Sequence, residues 1–346
     1  MHGECWQELS PALWKGHGDP EQYQSRTRRQ CAVRLYSYGD KPMVLGQTAI
    51  INDGEFLELP YLNFCETSRF NAPENITLVE EFGDEAVTLN MPSDRLHIAG
   101  ACAVLVQQGE GVWGHWLVDV LPRIKMVREL LPDVVIAISE GPAWALDLLR
   151  HAGIDLGRVV RYEPRRTVLT ADRIFMPSFV RFANGFSPLA ANVFRSRARA
   201  EENRNRKLYV TRSVTRFGST VLNNCEIESL FVRRGFEVVS PERLTVAQQV
   251  ALFAQARQLV GEYGSGMHNS IFSGPGTRVL SLQSESVNQF VQAGIGGVLG
   301  QPTGFVFGQC KPAERSDVRM AASLRRRLCW IDPALVEQAL VEFLQH

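Results

Sequence analysis

"GFEVVSPERLTVAQQVALFAQARQLVGEYGSGMHNSIFSGPGTRVLSLQ", residues 235–283, decides the fold class. Short apolar runs, "FEVVSP", "QLVGEYG" and "TRVLSLQ", alternate with the helical pattern "TVAQQVALFAQAR" and the segment "MHNSIFSG", read as a second helix. Strands separated by helices pair in parallel, because a helix is the usual connection that returns the chain to the same end of a sheet. Immediately upstream, "KLYVTR" reads as a strand and "CEIESLFVRRG" as a helix, so the series begins near residue 207.

A similar series runs from about Leu96: "IAGACAVLVQQ", "HWLVDVLPRIKMVRELL", "DVVIAIS", "PAWALDLLRHAG", "RVVRYE" and "RIFMPSF". Before it, "AVRLYSY", "AIIND" and "EFLELPYLNF" read as short strands broken by Asp-Gly, Gly-Asp and proline turns. The arginine-rich, helical "NVFRSRARAEENRNR" separates the two series, and the chain closes on a helix over "DPALVEQALVEFLQ" with Asp332 as N-cap. The expectation is an α/β protein of two Rossmann-like domains facing a central cleft. Residues 1–190 form a β-rich and then α/β domain, and residues 191–346 a second α/β domain with the closing C-terminal helix.

At 346 residues, two cores are expected rather than one. The composition, 45% hydrophobic and 21% charged, is that of a globular chain, and a net charge of zero argues against nucleic acid as partner. The seven cysteines, none in a C-x-x-C spacing, read as buried thiols of a reducing compartment. The N-terminal residues carry no continuous apolar h-region, so a cytoplasmic location is expected. No charge occurs from Ser286 to Cys310, but Pro302, the glycines and Asn288, Gln289, Gln292 and Gln301 interrupt any membrane span. A buried, glycine-rich segment near a ligand or a domain interface is expected there.

Three constellations carry chemistry. "GEGVWG" places Gly109, Gly111 and Gly114 in a G-x-G-x-x-G between strand and helix, with Asp133 or Glu140 as ribose acid, the pattern of a dinucleotide site and so of an NAD-dependent oxidoreductase. Against this, Trp113 and His115 crowd the turn and Pro122 kinks or shortens the helix. In "GHWLVDVLPR", His115 and Asp119 share a helix face four residues apart, as a histidine base and the carboxylate that fixes its tautomer would; the plainer reading is helix-start packing with Asp119 paired to Arg123. The turn Gly264, Ser265, Gly266 before Met267, His268 and Asn269 gathers backbone N–H groups into an anion site suited to a diphosphate, or else is a tight turn with packing glycines. Arg212 ends a strand in the same domain, Arg216 follows it, and Asn223 with Glu226 opens the next helix as a variant capping box.

Taken in order, "GHWLVDVLPR", "YVTR" with "LNNCEIE", the segment 235–269 and "IFSGPGTRVLSL" resemble glycosyltransferase family 61 over roughly residues 96–285, with a family-like tail at "LCWIDPALVEQAL". The family's usual H-G-A-G-L-T-N stands here as Tyr263, Gly264, Ser265, Gly266, Met267, His268, Asn269, and its N-E as Asn223 and Asn224. The resemblance implies a GT-B fold and an inverting transfer of sugar from a nucleotide donor to a glycan or lipid-linked glycan acceptor. It implies no metal, in keeping with the lack of any D-x-D. In that scheme His115 assisted by Asp119 is the base, and Arg212, Arg216 and residues 264–269 hold the diphosphate. Asn223, Glu226, Glu242, Glu262, Glu285 and Asn288 are further donor-binding or structural candidates. A surface-polysaccharide enzyme docked peripherally at a membrane is the expected setting; a GT-B-like binding protein without catalysis is the non-enzymatic alternative.

Overall fold

The computed structural model describes residues 13–16, 35–39, 41–45, 49–52, 55–57, 76–81, 84–89, 91–105, 111–182, 184–197, 204–212, 219–287, 289–310 and 328–344. Gly109, Arg216 and Asn288 lie outside the described residues, as do residues 32–34 and 58–64 of the expected strands. The chain is α/β and divides into two compact units, residues 35–180 in one and residues 13–16 with 181–344 in the other.

The first unit is built on one sheet whose strands lie in the order Val159–Tyr162, Val135–Ser139, Asp94–Val104, Thr167–Pro177, Met43–Leu45, Ala49–Asn52 and Glu55–Leu57, with Leu35–Tyr38 also on Thr167–Pro177. The first four strands are parallel, and the short early strands extend them antiparallel. From Asp94–Val104 the chain steps outward through two helical connections, then returns to the other side of that strand with Thr167–Pro177. The reversal beside Asp94–Val104 is a topological switch point. Cys102, Val104, Ala137, Leu169 and Ile174 form the buried centre, the near-continuous apolar runs expected of strands covered on both faces. A separate hairpin joins Ile76–Glu81 to Asp84–Leu89.

The second unit has six parallel strands in the order Glu237–Val239, Arg206–Val210, Ala256–Glu262, Arg278–Ser284, Thr303–Cys310 and Leu13–Lys15. Cys329–Trp330 runs antiparallel on Thr303–Cys310. Counted from Arg206–Val210, the first five strands follow the doubly wound order 2-1-3-4-5, whose switch point lies between Arg206–Val210 and Ala256–Glu262. Leu13–Lys15 joins this second sheet, whereas the sequence reading had assigned it to the first domain with a boundary at residue 190. Trp14 anchors it, with its ring centroid 5.8 Å from Phe290, 5.9 Å from Phe305 and 4.4 Å from Phe307.

Local expectations fare unevenly. Asp332 caps Pro333–Ala339 as expected, its Oδ1 accepting from the Ala334 N–H at 2.9 Å. Helix Val246–Ala254 is held by a full capping box between Thr245 and Gln248. The helix before the second series occupies Pro188–Arg197. "MHNSIFSG", expected as an α-helix, is a 3-10 turn over Ser265–Phe272; the tighter winding turns Met267, Asn269, Ser270, Ile271 and Phe272 all into the interior. The uncharged stretch folds into helix Val291–Leu299 and strand Thr303–Cys310, largely buried. A Cβ on Gly294 would run into the Asn184 carbonyl, and one on Gly296 into the Thr303 hydroxyl, so both glycines serve close packing. No helix among the described residues is long and apolar enough to cross a membrane.

Candidate functional site

Adjacent parallel strands at the switch point of the second sheet, in register at Val210 and Gly261, deliver Arg212 and the turn Tyr263–Gly264 to the same place. Arg212 Nη1 donates to the Tyr263 carbonyl at 2.7 Å. Its guanidinium lies across Gly264, where a Cβ would stand 2.5 Å from Nη1 and where φ is +154° with ψ 178°, backbone that essentially only glycine adopts. The other two glycines do different work. On Gly261 a Cβ would meet the Val210 carbonyl oxygen at 2.6 Å and Met267 Sδ at 2.7 Å; on Gly266 it would meet Val210 Cγ1 at 2.9 Å.

The segment Ser265–Phe272 then divides by side. Ser265, Gly266 and His268 stay half-buried, while Met267 is buried against Gly261 and Asn269 is fully buried, its amide donating to Gln249 Oε1 at 2.9 Å. Gly264, Ser265 and Gly266 thus accompany Arg212 at the strand ends, and Met267 and Asn269 anchor the turn from below. Gln249 escaped the sequence reading. Its signal was a polar residue on the apolar stripe of Val246, Val250 and Phe253. Tyr263 was noted only for its departure from the family pattern; its hydroxyl bonds Gln289 and joins the turn to the loop after Arg278–Ser284.

Glu262, only 1% exposed, accepts from the Ser219 hydroxyl at 2.8 Å and the Thr220 N–H at 3.1 Å. Burial pushes its carboxyl up, opposed by the Ser219 hydroxyl, the Arg212 guanidinium and the Thr220 and Val221 amides. The strand end at Glu262 and Tyr263 therefore holds the chain on both sides of residues 213–218. Asn223 does not cap its helix. It pairs instead with the Ile331 backbone, donating from Nδ2 at 2.8 Å and accepting at Oδ1 at 3.1 Å, and Nδ2 also meets Glu226 Oε2 at 3.0 Å. Glu242 is exposed in the short turn Pro241–Arg243, and Glu285 accepts from the Cys310 N–H at 2.8 Å. These geometries give Asn223 and Glu285 structural work.

In the first unit, the helical run after Asp94–Val104 comprises Trp113–His115, a π-helical turn Trp116–Val120 and Leu121–Leu130. Pro122 has no N–H for the Val118 carbonyl, and its ring would press on that carbonyl in a regular α-turn. Widening the preceding turn, with the Leu121 N–H bonded to the Trp116 carbonyl, lets the helix continue where the sequence reading expected a kink or shortening. His115 Nδ1 lies 2.8 Å from Asp119 Oδ2, with the imidazole side chain 41% exposed and the carboxylate 2%. An ionised carboxylate can only accept, so Nδ1 carries the proton and Nε2 is left as the basic atom. Arg123 is buried, donating to the Pro177 carbonyl at 3.0 Å with its guanidinium 5.0 Å above the Phe179 ring. It ties the helix to the carboxyl end of the strand on the other side of that sheet's switch point.

Both constellations fall within residues 113–280, which match the family model described as Glycosyltransferase 61. The matched stretch belongs to glycosyltransferase family 61. No curated protein matches the chain. Family 61 membership implies a glycosyltransferase, with a sugar donor and a glycan acceptor as its classes of substrate. Within the family 61 stretch, Gly114 and Trp113 belong to the helix, and Trp113 packs edge-on against Trp144 at 5.1 Å. The described part of "GEGVWG", residues 111–114, is a helix entry with aromatic packing, and no finding supports the oxidoreductase alternative. Among the described residues no group of three His, Cys, Asp or Glu side chains is placed to hold a metal ion.

Proposed function

We propose that the protein is an inverting, metal-independent glycosyltransferase that moves a sugar from a nucleotide-diphosphate donor to a hydroxyl of a glycan or lipid-linked glycan. In a single displacement the acceptor oxygen bonds the anomeric carbon as the bond to the diphosphate breaks. His115 Nε2 takes the acceptor proton while Asp119 stabilises the imidazolium that forms. Arg212 and the N–H groups of the turn after Gly264 stabilise the charge developing on the leaving diphosphate. Both units serve one reaction in this reading, which is the GT-B arrangement. No cofactor is required, and the setting is surface-polysaccharide synthesis in the cytoplasm with peripheral membrane docking.

One observation carries the reading: Arg212 and the glycine turn meet at the switch point of a doubly wound sheet, where such sheets bind ligands, within a stretch matched to a glycosyltransferase family. Calorimetric titration with nucleoside diphosphates tests it. Arg212→Ala is expected to weaken binding by roughly ten- to a hundredfold, the value of a charge-assisted contact. Unchanged affinity in that variant removes Arg212 from the site.

A further inference from the structure

Cys310 ends the strand Thr303–Cys310, Cys329 begins the strand laid antiparallel to it, and the register sets the two cysteines directly opposite each other. Opposite residues in such a ladder alternate between pairs that exchange backbone hydrogen bonds and pairs that do not. The Cys310 N–H donates to Glu285 Oε1 at 2.8 Å and the Cys329 N–H to the Thr220 carbonyl at 3.0 Å, while the Cys329 carbonyl accepts from the Leu222 N–H at 2.8 Å. With their amides committed elsewhere, Cys310 and Cys329 form a non-hydrogen-bonded pair, the kind whose Cα atoms stand about 4.5 Å apart with side chains on one face. That spacing lies in the range a disulfide spans, about 4.4–6.8 Å. The Cys310 sulfur meets the Ser284 hydroxyl at 3.1 Å, so closing the bond takes a turn of its side chain toward Cys329. Gly308 shares a face with Cys310, and Cys329 Sγ lies 2.9 Å from where a Cβ on Gly308 would stand, so the missing side chain leaves room for the sulfur.

We propose that Cys310 and Cys329, both free thiols in this structure, are a modification site that closes to a disulfide under a peroxide oxidant. Cys310 is half-buried and Cys329 fully buried, so the oxidant meets Cys310 first. The Cys310 sulfur attacks the peroxide, an S–O bond forms as the O–O bond breaks, and water leaves. The Cys329 sulfur then attacks the sulfenic sulfur, an S–S bond forms as the S–O bond breaks, and the thiol proton departs with the hydroxyl as a second water. Two thiols are oxidised by two electrons and one peroxide is reduced. Burial, with smaller contributions from Glu262, Cys310 and Glu285, pushes the Cys329 thiol up to about 12, so it enters the second step protonated and its proton leaves in that step. Thr220, whose carbonyl holds the Cys329 amide, also gives its own N–H to Glu262, so Cys329 is two hydrogen bonds from the residue beside Tyr263, whose carbonyl Arg212 holds. The chemistry stands independently of the transferase reading.

The test is peptide mapping of the full chain, treated with hydrogen peroxide, alkylated without reduction and digested. A pair of peptides joined through Cys310 and Cys329, two hydrogens lighter than their sum and separated by dithiothreitol, is the expected product. Cys310→Ser, at a half-buried position, is expected to lose that product while keeping the wild-type melting midpoint, and Cys310→Ala to do the same. Recovery of Cys310 as sulfinic acid beside an unmodified Cys329, or of Cys310 joined to another cysteine, overturns the proposal. So does recovery of both as thiols after peroxide and after diamide, which oxidises neighbouring dithiols directly.

Discussion

Asp119 and Glu262 are both 1% exposed carboxyl residues near the switch points of their respective sheets, yet they are satisfied in opposite ways. Asp119 meets an imidazole that gains a positive charge when it takes a proton, at 2.8 Å. Glu262 receives its hydrogen bonds from a serine hydroxyl and a backbone amide, with Arg212 engaged on the neighbouring carbonyl of Tyr263. A carboxylate whose partner becomes a cation during a reaction strengthens its interaction as the reaction proceeds, the condition for accelerating a chemical step. A carboxyl held by fixed neutral donors gains nothing from the reaction and holds chain in place. In the proposed transfer, the difference separates the carboxylate assigned to assist chemistry, Asp119, from the one assigned to support the site, Glu262.

The largest effect expected from this contrast is at His115. His115→Ala and Asp119→Asn should each lower the rate of sugar transfer by roughly 10²–10⁴-fold, the usual worth of a positioned general base, with nucleoside diphosphate affinity unchanged. Turnover and calorimetry on the same preparations check both halves. Full turnover in both variants would leave Asp119 as a packing residue and erase the contrast with Glu262.

Next in size is Gly264. An alanine there must hold a φ of +154° and would stand 2.5 Å from the Arg212 guanidinium, so either the turn or the arginine moves. Strain of this kind costs about 1–3 kcal/mol. Gly264→Ala is expected to lower the melting midpoint and to weaken nucleoside diphosphate binding about tenfold, equivalent to about 1.4 kcal/mol. A lowered midpoint with intact affinity would show that Arg212 binds from some other pose.

Much of this was legible in advance. The βα alternation around "QLVGEYG" and "DVVIAIS" gave the parallel strands, because apolar runs of five to seven residues between helical periods have few other folded uses. Strand Leu13–Lys15 was not legible: its three residues are too short for any period, and their partner is at residues 304–306. The π-turn ahead of Pro122 depends on the helix having enough buried surface to continue past the proline, which no local pattern reports. Cysteine usage misled in one respect, since Cys225 is exposed and only register reveals that Cys310 faces Cys329. Among the candidate site residues, type was readable and direction was not. Asn223 looked like a cap and pairs with Ile331, while Asn269 looked like a ligand donor and is turned inward to Gln249.

The smallest effect expected is also the most direct test of the contrast. Burial raises the Glu262 carboxyl above the ordinary carboxylate range, and the nearby Tyr209 phenol and Cys329 thiol, themselves pushed up, stay neutral at the pH values concerned, so Arg212 is the charged neighbour. A raised folded pKa means the folded chain binds that proton more tightly than the unfolded chain does. The stabilisation this group contributes is therefore present at low pH and is lost as pH rises from the unfolded value through the raised folded one, about 1.4 kcal/mol for each unit between them. Glutamine in its place keeps the shape, accepts from the Thr220 amide and donates to the Ser219 hydroxyl, and cannot ionise. Urea midpoints of Glu262→Gln should therefore lack the decline that the wild type shows through this window, and should equal or exceed the wild type above it. A variant weaker than the wild type by the same margin at every pH would mean that Arg212 keeps Glu262 ionised throughout. The two buried carboxyls would then both be anions matched to a cation, and Glu262 would have to be counted with the charged groups that set the potential at the Arg212 turn.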